Sequence, residues 1–169
     1  MIRVYLIGFM ASGKSYLSRV LSAEMKLPLI DMDKYIEEKN FMSVPEIFST
    51  YGEDEFRKRE QKALEELSNI EDVIIATGGG APCFFNNMDV MNETGATLYI
   101  KVPEEVIVER LINSKHKRPL ADGKSRGELI DFVSHKIAER EPYYSQAKAI
   151  INPLDQSLEE IIELIKILS

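Results

Sequence analysis

The chain has 169 residues, 28 of them acidic and 21 basic, for a net charge of −7; that length predicts one domain. With 44% hydrophobic and 29% charged residues it is too apolar to be a disordered chain, and it is large enough to need no disulfide or metal staple. The acidic balance argues against a nucleic-acid binder, no apolar run reaches the ~18 residues of a membrane span, and the lone Cys83 fits a reducing, cytoplasmic setting.

The first expected element is the strand Arg3-Val4-Tyr5-Leu6-Ile7, which runs into Gly8. Arg3 followed by Val4 to Ala11 could pass for a signal peptide. The glycine-rich turn and the single cysteine favour the strand. Leu17, Val20 and Leu21 set a helical stripe over 16–25, and Leu29-Ile30 reads as a second strand. Ser43 with Glu46 three residues on predicts a capping box before a short helix. Phe56, Ala63, Leu64 and Leu67 predict a helix over 53–68, followed by the strand Val73-Ile74-Ile75-Ala76. Further strands are expected at Thr97-Leu98-Tyr99-Ile100 and Ala149-Ile150-Ile151. Helices are expected over 104–112, on Val108, Leu111 and Ile112, and at the C-terminus, on Leu158, Ile161, Ile162 and Ile165. The strands lack polar alternation, as strands buried on both faces do. Strand–helix alternation predicts an α/β fold with a mostly parallel sheet covered on both sides. No repeat, low-complexity tract or linker divides the chain. The stretch 113–126 carries five basic residues and almost no apolar ones, so it reads as a solvated loop or as a lid over phosphates.

Gly8-Phe9-Met10-Ala11-Ser12-Gly13-Lys14-Ser15 has the spacing of a P-loop, between a strand and a helix as that motif requires. Its glycines let backbone N–H groups turn toward phosphate oxygens, and the helix N-terminus adds partial positive charge. Lys14 can reach the outer phosphates and Ser15 can ligate Mg²⁺. The bland reading is a glycine-rich turn with an exposed lysine. A base-reading Asn-Lys-x-Asp is absent from the chain, which excludes a GTPase. What remains is a small kinase or a nucleotide-binding module without chemistry.

Three segments point to an acceptor. Asp31-Met32-Asp33 follows the second strand. On an extended chain both carboxylates point the same way, toward the cleft at the carboxyl ends of the strands. One could serve Mg²⁺ and the other could accept a proton; alternatively Asp33 is the N-cap of the next helix. In Phe56-Arg57-Lys58-Arg59-Glu60, Glu60 can hold Arg57 for bidentate capture of a carboxylate or phosphate; a surface ion pair of little energy is the alternative. Thr77-Gly78-Gly79-Gly80 is either a flexible turn or a place where a substrate takes N–H donors directly. No Walker B aspartate stands there, which leaves Mg²⁺ to Ser15, Asp31 and water.

In order along the chain, Gly-Phe-Met-x-x-Gly-Lys-Ser, Asp-x-Asp, Phe-Arg-x-x-Glu, Thr-Gly-Gly-Gly, Arg118-Pro119-Leu120 and Arg140-x-Pro142-x-Tyr144 resemble the shikimate kinase family. The resemblance implies a single domain over 1–169. Its fold would be three-layer α/β/α, a five-stranded parallel sheet of the P-loop NTPase, nucleoside-monophosphate-kinase-like type, with a lid at about 113–126. It implies transfer of the γ-phosphate of ATP to the 3-hydroxyl of shikimate by a cytoplasmic monomer, with Mg²⁺. By similarity Asp33 is the base, aided by Lys14 and the lid arginine Arg118. Arg57, Arg140, Gly79, Gly80 and Asp33 hold shikimate. Ala11, Ser12, Gly13, Lys14, Ser15, Tyr16, Arg110, Arg118, Asn152 and Pro153 hold ATP, and Ser15 and Asp31 serve the metal. Two departures stand out: Ser18 replaces a usual glycine, and the segment 152–156 is short and lacks the family's common arginine. A kinase of another small acceptor is the runner-up.

Overall fold

The computed structural model describes residues 1–115 and 122–169. Arg118 and the middle of the expected lid therefore lie outside the described residues. Five strands, β1 (Arg3–Ile7), β2 (Leu29–Asp31), β3 (Val73–Ala76), β4 (Ala96–Ile100) and β5 (Ala149–Ile151), form one sheet in the order β2-β3-β1-β4-β5. Every pairing is parallel. The helices are α1 (Lys14–Met25), α2 (Met32–Asn40), α3 (Val44–Tyr51), α4 (Glu53–Leu67), α5 (Asn87–Thr94), α6 (Glu104–Ile112), α7 (Arg126–Tyr144) and α8 (Leu158–Leu168), with a 3-10 turn at Ala81–Cys83.

β1, β3 and β4 are buried at every residue. Successive side chains on a strand face opposite ways, so both faces of the central sheet are covered. The edge strands depart from the expectation. β2 is only half-buried and Ile150 in β5 is exposed, because each edge strand pairs on one side alone. Among the described residues no helix is long and apolar enough to cross a membrane.

α3, α7 and α8 each begin with a full capping box, at Ser43–Glu46, Ser125–Glu128 and Ser157–Glu160. In α6 the expected apolar stripe shifts: Ile107 is buried and Ile112 is exposed. α5 and α7 carry too weak a stripe to be read in the sequence, and α7 contains Pro142.

Candidate active site

The turn from β1 to α1 places Ala11 and Gly13 in the left-handed region, at φ 60 and 104. α1 then begins at Lys14, two residues before the expected start, so Lys14 and Ser15 lie in its first turn. Among the described residues α1 is the one α-helix with neither a capping side chain nor an acid in its first turn. Its N–H groups and partial positive charge are left for an anion. Ser12 Oγ is buried here with no hydrogen-bond partner among the described residues. Lys14 Nζ donates to the Gly8 and Phe9 carbonyls at 2.6 and 2.9 Å. Arg110 Nη1 donates to the Ala11 carbonyl at 3.0 Å, which lays its guanidinium over the same turn.

A cavity of about 850 Å³ opens on this turn. Its wall includes Ala11, Ser12, Gly13, Lys14, Ser15 and Tyr16, then Asp31 and Asp33, Gly78 and Gly79, Arg110, Pro153, Leu154 and Gln156. The carboxyl ends of β1, β2 and β3 thus meet in one hollow, as ligand sites in open α/β sheets do. Asn152 does not line it. Its side chain accepts from the Leu154 N–H and donates to Asp155, shaping the loop instead.

The two aspartates share the hollow for a reason other than strand alternation. β2 ends at Asp31, and Asp33 sits in the first turn of α2. Asp31, not Asp33, is the N-cap, accepting from the Lys34 N–H at 3.1 Å. The alternative reading of Asp33 as the cap is thereby corrected, and its carboxylate is spared that duty.

The three glycines after β3 form the floor of the acceptor side. A Cβ built on Gly78 would stand 3.0 Å from Asp33 Oδ1 and 3.2 Å from Glu60 Oε2. One on Gly79 would stand 3.3 Å from Arg140 Nη1, 3.4 Å from the Gly8 carbonyl and 3.7 Å from the Met10 nitrogen. One on Gly80 would lie 2.6 Å from Arg57 Nη2. The triplet touches the phosphate-binding turn on one side and two acids and two arginines on the other, and only residues without Cβ leave that room.

Arg57 and Glu60 are both buried and pair at 2.8 Å, so theirs is no surface ion pair. Glu53, which is exposed, holds Arg57 from outside at 3.2 Å, and the guanidinium carbon lies 4.0 Å from the centre of the Phe84 ring. Burial pushes the Asp33 carboxyl up from its ordinary value, with help from Asp31; Lys14 and Arg57 oppose the rise. Burial likewise raises Glu60 to about 7, outweighing Arg57 beside it.

A model of the shikimate kinase family matches residues 10–168. The chain belongs to the shikimate kinase family. A shikimate kinase of Bacteroides fragilis is 45% identical over 150 residues, covering 89% of this chain and 84% of that one. The crystal structure of the Bacteroides thetaiotaomicron shikimate kinase superposes with a TM-score of 0.88 at 39% identity, over 99% and 96% of the two chains. That of the Acinetobacter baumannii enzyme, solved in complex with shikimate, gives 0.85 at 29% identity over 98% and 93%.

Where this shikimate kinase family member has Ser18, the hydroxyl is accommodated: the residue is buried and its Oγ donates to the Ser15 carbonyl at 3.1 Å. Three contacts escape sequence reasoning. Phe84 and Glu53 flank Arg57, and the Tyr144 hydroxyl donates to the Gly79 carbonyl at 2.5 Å. The helical spacing of Glu53 and Arg57, four residues, could have signalled the first pair. Phe84 lies in irregular chain with no period to read, and Tyr144 was visible only as part of a motif.

Among the described residues no cluster of three or more acidic, His or Cys side chains could cage a metal alone. A Mg²⁺ accompanying a nucleotide needs fewer protein ligands, because it keeps waters and takes phosphate oxygens. The Ser15 hydroxyl and the Asp31 carboxylate line the same cavity and are the hard oxygen donors such an ion prefers, so the residues fit it.

Proposed function

We propose that this chain transfers the γ-phosphate of ATP to the 3-hydroxyl of shikimate, giving 3-phosphoshikimate and ADP on the route to chorismate and the aromatic amino acids. It would act as a single domain over 1–169, with a lid at about 113–126, as a cytoplasmic monomer. The observation that carries this reading is the glycine floor. Asp33 stands against Gly78, Arg140 against Gly79 and Arg57 against Gly80, while Gly79 also meets Gly8 and Met10 of the turn that would hold the phosphates.

The uncapped α1 N-terminus and Lys14 would hold the β- and γ-phosphates of ATP. Arg110, Tyr16 and Pro153 would border the nucleoside. Arg57 and Arg140 would take the shikimate carboxylate as charge-assisted hydrogen bonds; the exposed Glu53 contact is weak enough to be displaced. Gly79 and Gly80 would offer backbone N–H groups. Asp33 would accept the proton of the 3-hydroxyl as that oxygen bonds to the γ-phosphorus and the bond to the bridging β–γ oxygen breaks, leaving ADP. Its raised carboxyl moves it toward the operating pH, where a general base works best. Ser15 and Asp31 would hold Mg²⁺, which neutralises charge on the phosphates when bound. Arg118 is assigned to the phosphates by resemblance alone.

The test is ADP release by the purified protein with ATP and Mg²⁺ against a panel of acceptors. Release is expected with shikimate, and EDTA should abolish it until Mg²⁺ is restored. Turnover of another hydroxy acid or of a nucleoside monophosphate, with none of shikimate, would overturn the reading.

A further inference from the structure

We infer that Glu141 is a positioning residue for the acceptor half of the site, its carboxylate clasping the last turn of α7 to the end of β4 and so setting Arg140 and Tyr144 against Gly79. This rests on the function proposed above and names a residue that the reading of the site did not include.

The clasp has two arms. Glu141 Oε2 accepts from the Tyr99 hydroxyl at 2.8 Å, and Oε1 accepts from Lys101 Nζ at 2.6 Å. Tyr99 is a buried residue of β4, and Lys101 follows the strand directly. From the clasp a continuous path leads to the glycine floor. The Tyr99 ring lies 5.0 Å from the Tyr144 ring. Arg140 Nη1 reaches the Tyr144 hydroxyl at 3.5 Å, and that hydroxyl donates to the Gly79 carbonyl. Arg140 is also the neighbour of Glu141 in sequence, so whatever fixes one backbone position fixes the other.

Two features make this turn of α7 depend on such a tie. Pro142 has no N–H, so the helix lacks the bond from that position to the Ala138 carbonyl, in the very turn that carries Arg140. Beside it a second cavity of about 400 Å³ is lined by Phe9, Tyr99, Lys101, Ala138 and Glu141, so on that side the turn meets a hollow, and the buried Tyr144 packs it on another. Phe9 lines the same cavity, and the Arg140 guanidinium carbon stands 5.4 Å from the centre of its ring. A loosened α7 would therefore shift Arg140 within the acceptor hollow while leaving the P-loop in place.

The experiment is steady-state kinetics on Glu141→Ala, Glu141→Gln and Tyr99→Phe, with thermal unfolding in parallel. Glu141→Ala is expected to raise KM for shikimate about three- to tenfold, the worth of an ordinary hydrogen bond, with KM for ATP changed less than about twofold. Glu141→Gln should recover part of that loss, since its amide oxygen still accepts from Tyr99, and Tyr99→Phe should shift KM in the same direction as the alanine variant. An unchanged KM for shikimate in the folded alanine variant, or an equal rise for ATP, overturns the inference. If that variant does not fold, Tyr99→Phe decides by the same criterion. The wild-type control separates the two claims: a wild type that turns over a different acceptor sinks the proposed function, and the variants are then compared on that acceptor.

Discussion

The base role proposed for Asp33 rests on its neighbours. Asp31 takes the capping duty, and burial raises the Asp33 carboxyl. Asp33→Asn is expected to keep the fold and lower kcat by about 10²–10⁴, the usual worth of a positioned base; steady-state kinetics check it, and near-normal turnover would remove the role. Because the group must be ionised to accept a proton and its carboxyl is raised, kcat/KM should fall with decreasing pH at a point above the ordinary aspartate value. Arg57 gives the second prediction. A charged hydrogen bond contributes ~1.5–3 kcal/mol, so Arg57→Ala should raise KM for shikimate by roughly tens-fold and leave KM for ATP nearly unchanged. Gly80→Ala should move KM in the same direction without touching any charge, because its Cβ would stand 2.6 Å from Arg57 Nη2. A normal shikimate KM in Gly80→Ala would mean the guanidinium is not where catalysis needs it.

Helices in this chain are finished differently according to what their ends meet. α3, α7 and α8 satisfy their first N–H groups with capping boxes, and α4 and α6 begin with acids. α1 has neither. An acid placed in its first turn should therefore compete with phosphate. Tyr16→Glu is expected to raise KM for ATP by about two- to tenfold, in line with the ~0.3–2 kcal/mol of a charge at a helix N-terminus, while KM for shikimate stays put. Equal effects on both substrates would argue for a general disturbance instead. At this scale much was legible. β1, β3, β5 and α6 occupy the spans their apolar runs predict, since such runs have few other ways to bury themselves. α7 was not legible: polar residues dominate it and Pro142 interrupts its pattern, so its place comes from packing and from the Glu141 clasp.

For the whole molecule, a net charge of −7 surrounds a hollow lined by Lys14 and Arg110, with Arg140 and Arg57 against the glycines Gly79 and Gly80 beside it. Such a contrast focuses positive potential where two anionic ligands would enter. The acid buried beside them carries a stability signature. Glu60 is raised from 4.5 to about 7, so between those values the folded state binds its proton more tightly than the unfolded state does. Its contribution to stability is present in full below pH 4.5 and is lost as pH rises through about 7. Measured by urea unfolding, the stability of Glu60→Gln relative to the wild type should therefore climb between about pH 4.5 and 7 and level off above. A pH-independent difference would sink that account of the buried pair.

Local sequence determined what local physics controls: the order of the strands and of the helices other than α5 and α7, the phosphate-binding turn, and the Arg57–Glu60 pair three residues apart on one helix. It also carried the motifs by which the family was recognised. It did not determine that β2 stops at Asp31, because a strand's end depends on the neighbour it pairs with. Nor did it show that Gly80 makes room for Arg57, that Tyr144 holds the Gly79 carbonyl, or that Glu141 ties α7 to β4. Those partners are far apart in the chain, and only the sheet order β2-β3-β1-β4-β5 brings them within contact, where burial and distance decide their energies.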